Sequence, residues 1–391
     1  MNNIFLRGLT RNLIIVGFVS LFTDLSSQMV FPLIPLYLIT VLSAPAWVVG
    51  VVEGAAESTA SLLKVFSGFW SDKIKRRKPF VLFGYSLSTI TKPLFAFATI
   101  WPLVLFIRVI ERVGKGIRNA PRDAIIAESA DPKMLGRAYS FHRAMDGIGS
   151  ITGAVLAFFL LPSLGFKNIF LIAIIPGVIA VIFVLLLKEK KDNNVLQKKK
   201  INLKIGLRSL PMNLRLFIVV STVFAAGHFG YAFLLLKARD IGLGNNYTIL
   251  LYVLFYVVYT VFIIPAGILS DRIGRKPVLL IGYILFAIVS FILIFTDVEL
   301  LLLSVFLLYG IFYSLIDGVQ RAFVADLAPK DLKATAIGTF HTCIGLVALP
   351  GGFIAGVIWD TISPMATFIY GLILTILAVF LFSFVKNNKK S

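Results

Sequence analysis

The stretch "RVIERVGKGIRNAPRDA", residues 108–124, sets seven charged side chains into a run otherwise apolar enough to be helical. Arg108, Arg112, Lys115 and Arg122 recur at helical spacing on one face, with Glu111 and Arg118 beside it and Asp123 after Arg122. Guanidinium forks can grip an anion, and a carboxylate such as Glu111 can take up and release a proton. The same residues could instead form a fixed ion-pair network that ties neighbouring helices together. Carboxylates that could complete either arrangement stand elsewhere in the chain: Asp24, Glu53 and Glu57 (one helical turn apart), and Asp146. Gln28, with Ser26 and Ser27, makes another polar group.

The elements that must position these residues are long and greasy. Of 391 residues, 58% are hydrophobic and 15% charged, too few charges to wet the surface of a soluble domain. Apolar runs of about 20 residues cross a bilayer core. Twelve helices are expected near 12–42, 46–71, 79–99, 101–128, 136–164, 167–188, 214–236, 246–271, 276–295, 299–326, 333–359 and 363–386. The fold class is therefore all-α and polytopic, in contact with a lipid bilayer. A charged run over 189–213 reads as a linker between two six-helix bundles, 1–188 and 214–391.

At bilayer depth a charge costs about 2.5–3.5 kcal/mol even on a lenient scale, so the charged face of span four must look into water or toward other spans. Arg118, Arg122 and Asp123, toward the inner end, suit the network. Arg108, Glu111, Arg112 and Lys115, near the middle, suit a solute and proton pathway together with Asp24, Gln28, Glu53, Glu57 and Asp146. The later spans are drier, offering His228, Asp317, Gln320, Arg321 and His341. His142 and His341 read best as helix–helix hydrogen-bonding groups. Tyr231, Tyr252, Tyr256, Tyr309 and Tyr313 could line a cavity, but at helical spacing they read first as packing.

Several function classes drop out. The net charge of +19 sits in short loops between apolar runs, so nucleic-acid binding is not expected. No nucleotide-binding loop occurs and no Cys/His set has metal spacing, so no ATP-driven step, enzyme activity, metal or cofactor is expected. The single cysteine, Cys343, excludes an internal disulfide. Lys73, Lys75, Arg76, Arg77 and Lys78, Lys133 and Arg137, the linker, Arg272, Arg275, Lys276, Lys330 and Lys333, and Lys386, Lys389 and Lys390 mark one set of loops. Both termini and the linker should thus be cytoplasmic.

The chain repeats itself. Gly68–Asp72 aligns with Gly267–Asp271 at an offset of 199, and one extra residue follows in the first loop before "KPFVLFGY" meets "KPVLLIGY". The same offset relates Arg122 to Arg321, Phe141-His142 to Phe340-His341, and Gly153 to Gly352. "GILSDRIGRK" and the looser "GFWSDKIKRRK", with Lys75 where glycine is usual, resemble the loop signature of the major facilitator superfamily. "RVIERVGKG" echoes its span-four pattern, with Glu111 in place of glutamine and Arg112 in place of glycine. "RVGKGIRNAPRDA" resembles a prokaryotic branch of mostly unassigned substrates.

This resemblance implies a secondary transporter of the cell membrane, moving a small solute by alternating access. Buried carboxylates favour protons as the coupling ion. Span five has "DGIGSITGA" and span eleven "LPGGFIAG", an incomplete match to an exporter element that points toward export. An uncoupled facilitator or uptake permease for a small organic anion is the first alternative, and a non-transporting membrane sensor the second. A monomer is expected. The resemblance also implies a cytoplasmic gate in which Asp72 and Asp271, with Arg76, Arg275, Arg118 and Arg122, form bonds while that side is closed, and in which Gly68 and Gly267 let spans pack closely. Leaving out the loop residue Arg137, spans two to five carry eight cations, Lys64 and Lys92 among them, against six anions. Arg112, the added fork, would hold an anionic or zwitterionic solute.

Overall fold

The computed structural model describes residues 10–74, 76–130, 135–189, 206–207, 210–295, 297–329 and 332–386. Lys75, Lys133, Lys330, Lys389, Lys390 and most of the predicted linker lie outside that set, as do the side chains of Asp72 and Arg137. The described elements are helical throughout, because backbone groups surrounded by hydrocarbon must bond within their own segment.

In chain order the helices are α1 (Arg11–Val30), α2 (Leu33–Thr40), α3 (Ala46–Ile74), α4 (Lys78–Thr91) with a 3₁₀ extension (Lys92–Phe97), α5 (Trp101–Ser129), α6 (Leu135–Ile172), α7 (Ile174–Leu185), α8 (Met212–Gly227), α9 (Gly230–Asp240), α10 (Asn245–Ile273), α11 (Arg275–Ile294), α12 (Glu299–Ile316), α13 (Val319–Leu327), α14 (Lys333–Thr361) and α15 (Pro364–Ser383). Pro32, which lacks an N–H, separates α1 from α2 within one span. Gly165, at φ +68, interrupts α6 where the fifth predicted span gives way to the sixth. Among the described residues nine helical stretches are long and apolar enough to cross a membrane, and one of them, Ala138–Leu185, contains the Gly165 break. The charged helices α3 and α5, 29 residues each, complete the twelve spans.

Two compact units result: Met1–Phe31 with Leu62–Leu203, and Pro32–Ser61 with Lys204–Ser391. In the first, Gly149 and Gly153 of α6 face the carbonyls of Leu21 and Leu25 on α1, where a side chain would not fit. In the second, α2 and the start of α3 pack with the later helices, although the sequence groups them with the first bundle. The reason is backbone-to-backbone packing: Gly50 meets Gly352, and Gly54 meets Ala348. Asp360 reinforces it by accepting the N–H groups of Ala46 (3.0 Å) and Trp47 (2.8 Å) at the start of α3, where the helix dipole favours a carboxylate.

The duplication is visible in the helices. α3 and α10 have equal lengths and start and end 199 positions apart. α8 and α9 are broken around His228–Phe229 much as α1 and α2 are broken at Phe31–Pro32. The unbroken α5 has a broken counterpart, α12–α13, parted at Asp317–Gly318. Each unit also closes on itself in the same way. The Asn12 side chain donates to Lys188 O at 2.8 Å and accepts from Lys188 N at 3.2 Å, while Asn213 makes both bonds with Lys386 at 2.8 Å. Lys78 Nζ donates to Leu185 O and Leu187 O, both at 2.7 Å, and Lys276 Nζ to Ser383 O (3.2 Å) and Val385 O (2.6 Å).

Candidate functional site

In the first unit α5 presents its charges to α1, α4 and α6. Arg108, with no solvent exposure, points Nη1 at Glu111 Oε2 from 3.5 Å, and Arg112 Nε approaches the same oxygen at 3.5 Å. Both guanidinium groups lie over the ring of Phe31, at 4.0 and 4.8 Å from its centroid. One carboxylate thus serves two cations that both lie over one aromatic ring. The helix break after α1 brings Phe31 to that position.

A second line of polar groups runs along α4. Lys92, also fully buried, donates from Nζ to Ser26 Oγ (2.8 Å), and Ser26 Oγ donates to Ala173 O between α6 and α7. Ser88 Oγ donates to Glu111 O at 3.1 Å and receives Arg118 Nη1, whose guanidinium sits 4.5 Å over the Tyr85 ring. This contact is possible because Gly84 and Gly114 let α4 and α5 cross closely.

Nearer the basic end, Arg122 closes on Asp123 (Nη2–Oδ1 2.8 Å). His142 bonds Ser20 Oγ across helices at 2.8 Å and faces Asp146 from 3.4 Å, and Arg143 reaches Asp146 at 3.9 Å. His142 therefore has the helix–helix role read from the sequence. Asp24 stands within electrostatic reach of Asp146, Lys115, Arg118 and Arg122, and among the described residues it makes no ion pair. Gln28 is buried on α1.

Glu53 and Glu57, expected as partners for α5, belong to the second unit. Glu53 accepts from Tyr231 OH at 3.5 Å, and Glu57, exposed, accepts from Ser61 Oγ at 3.1 Å. Burial of the first half of α3 among the later helices draws them there.

The two signature loops form parallel clusters. Arg275 binds Asp271 (2.6 Å), Asp326 (3.4 Å) and Ser270 Oγ. In the first unit Arg77, not Arg76, takes this position, holding Glu128 at 2.8 Å and Ser71 Oγ at 3.2 Å while Arg76 is exposed. The extra residue in the first loop shifts the register by one. Gly68 lies close to Ala120, as expected of a packing glycine, but Gly267 faces open space, so close packing does not explain it.

Sequence reasoning missed Phe31, passed over Lys92 as one charge in a count, and did not single out Asp360. Lys92 had a usable signal, a lysine deep within an apolar span. Among the described residues no three His, Cys, Asp or Glu side chains converge as a metal site.

The family model for the major facilitator superfamily matches residues 16–247 and 215–391. An uncharacterized MFS-type transporter of Methanocaldococcus jannaschii is 41% identical over 387 residues, covering 97% of this chain and 96% of the relative. Among solved structures, a nucleoside transporter superposes with a TM-score of 0.76 (16% identity, 97% of this chain and 100% of the other). A D-xylose–proton symporter superposes with a TM-score of 0.75 (16% identity, 97% and 98%). With twelve spans, a duplicated six-helix plan and signature loops in both copies, the chain belongs to the major facilitator superfamily, as a multi-pass membrane transporter of small solutes.

Proposed function

We propose that the protein is a proton-coupled secondary transporter of the cell membrane, with both termini cytoplasmic, carrying an anionic or zwitterionic solute by alternating access. The observation behind coupling is the contrast between Asp24 and Glu111. Glu111 is held by two arginines and is suited to a fixed structural charge. Asp24 has charged neighbours of both signs but no ion pair among the described residues. An ionised carboxylate without a paired cation is costly at this depth, and taking up a proton removes that cost. Asp24 is accordingly the proton carrier, and Asp146, Lys115, Arg118 and Arg122 are the charges that bias it.

The solute's negative group is assigned to Arg112 and Lys115, beside the Arg108–Glu111 pair. Arg112 lies beside Glu111 and over Phe31, and its planar fork suits a carboxylate or phosphate. Transport in the outward direction fits the glycine-rich fifth and eleventh spans, and the chain acts as a monomer with no catalytic step or cofactor. The uncoupled facilitator remains the second reading because Glu111 and Asp123 are both already paired.

Solute flux in proteoliposomes, with and without an imposed pH gradient, separates the two. Coupling predicts accumulation driven by the gradient in the native protein. Asp24→Asn should abolish accumulation while keeping exchange of solute for solute, since a proton carrier must bind its proton differently in the two access states. Gradient-driven accumulation that survives in Asp24→Asn removes Asp24 from the pathway.

A further inference from the structure

The second unit holds a different kind of surface, and it lies between two helix breaks. At the first break, His228 ends α8 with extended backbone, and its Nε2 shares a hydrogen bond with Tyr309 OH at 3.0 Å. At the second, Asp317 ends α12, accepts Tyr259 OH at 2.8 Å and pairs with Arg321 at 3.1 Å. Non-helical backbone at membrane depth is tolerated where protein or a water-filled cavity covers it. Both breaks here carry a polar side chain bonded to a tyrosine.

Tyrosines line the interval. Tyr252, Tyr256 and Tyr259 follow one another on a single face of α10 at spacings of four and three residues. Ring centroids are 5.2 Å apart for Tyr252–Tyr256, 5.9 Å for Tyr256–Tyr259 and 5.3 Å for Tyr259–Tyr313. Tyr313, on α12, is 37% exposed. Glu57 is exposed as well and lies within electrostatic reach of both Tyr313 and His228. A carboxylate midway along a span turns from lipid toward protein or water, and Tyr313 lies on the side it takes.

The electrostatic character of this face is distinct. Rings present negative quadrupole faces, the carboxylates are Glu53, Glu57 and Asp317, and Arg321 is already paired with Asp317. We infer that the tyrosine face of α10 and α12, with Glu57 at its edge, is a binding site for a flat aromatic group that carries positive charge. Cations are drawn to tyrosine faces, a flat ring can pack edge-to-face as Tyr256, Tyr259 and Tyr313 do with each other, and Glu57 supplies the counter-charge. The inference rests on the transporter reading for the purpose of the site.

Binding is tested apart from transport. Benzyltrimethylammonium is titrated calorimetrically into the purified full-length protein in detergent. The expected result is saturable binding in the millimolar range or tighter, weakened about tenfold in Tyr256→Leu and in Glu57→Gln. The cyclohexylmethyl analogue keeps the charge and loses the flat ring, and it should bind about tenfold more weakly than the benzyl compound. Tyr256→Phe, which keeps the ring, should bind as the native protein does. Glu57→Gln alters an exposed side chain and serves as the decisive variant if Tyr256→Leu does not fold. No saturable binding by the native protein, equal affinity in native protein and Glu57→Gln, or equal displacement by benzoate would each overturn the site. Binding by a protein whose proteoliposomes show no gradient-driven solute accumulation would reject the coupled-transport reading and leave the site standing, whereas accumulation without binding would do the reverse.

Discussion

Span four and its repeat counterpart ten show how far the two copies have parted. At the 199-residue offset, Arg108 faces Leu307, Glu111 faces Gly310, Arg112 faces Ile311, Lys115 faces Ser314 and Arg118 faces Asp317. The first copy is one continuous helix whose inward face is ionic. The second is broken at Asp317–Gly318 and packed with aromatic rings. Span two diverges in the same sense, since Glu53 and Glu57 stand where the repeat has Tyr252 and Tyr256. The bonds that close each unit, by contrast, are duplicated almost atom for atom. The scaffold was conserved between copies while the inward-facing chemistry was not, so the ends and the middle of these helices answer to different constraints.

The largest effect should come from breaking the ionic copy. Glu111→Gln leaves Arg108 and Arg112 stacked on Phe31 with no carboxylate between them. Removing one partner of a buried ion pair costs about 3–5 kcal/mol, so the thermal unfolding midpoint in detergent should fall steeply, and Glu111→Gln combined with Arg112→Gln should recover part of it. A double variant no more stable than the single one would show that the second arginine is not what Glu111 neutralises.

The shared part of the comparison is sharpened by a matched pair. Lys78→Met and Lys276→Met each remove an ammonium from two helix-terminal carbonyls, at about 1.5–3 kcal/mol for a charged hydrogen bond. The two losses should agree closely, because the two sites are copies. Unequal shifts of the unfolding midpoint would mean that the closures are alike in geometry but not in energy.

Asp271→Ala should do least to stability. Its carboxylate side chain is 64% exposed, and exposed ion pairs contribute about 0–1 kcal/mol. Turnover in proteoliposomes should nevertheless slow if the pair with Arg275 helps close the basic end. Unchanged turnover would leave the loop motif as a topological signal.

Much of this was legible in the sequence. Span count and the duplication follow from apolar length and spacing, whereas the pairing of Arg108 and Arg112 with Glu111 does not, since the sequence places those three in a solute and proton pathway. Phe31 was not legible because it stands 77 positions before Arg108, in a chain with 35 phenylalanines, where no single ring draws notice. Asp360 bonds a helix start more than 300 positions earlier, and the motif that promised such chemistry lies at the other end of α3. The shift from Arg76 to Arg77 turns on one inserted residue, whose effect on register needs the fold. Glu53 and Glu57 fall in the second unit because sequence order does not say which unit claims each half of a helix.

The paired asparagine closures bear on how such a chain could arise. Asn12 meets Lys188 and Asn213 meets Lys386, so each six-span half begins and ends at one point on one face of the bilayer. An even number of crossings returns the chain to its starting side. A gene encoding one half could therefore be fused in tandem to its own copy without inverting the second in the membrane, and the junction would need only to bridge two ends already on the same side.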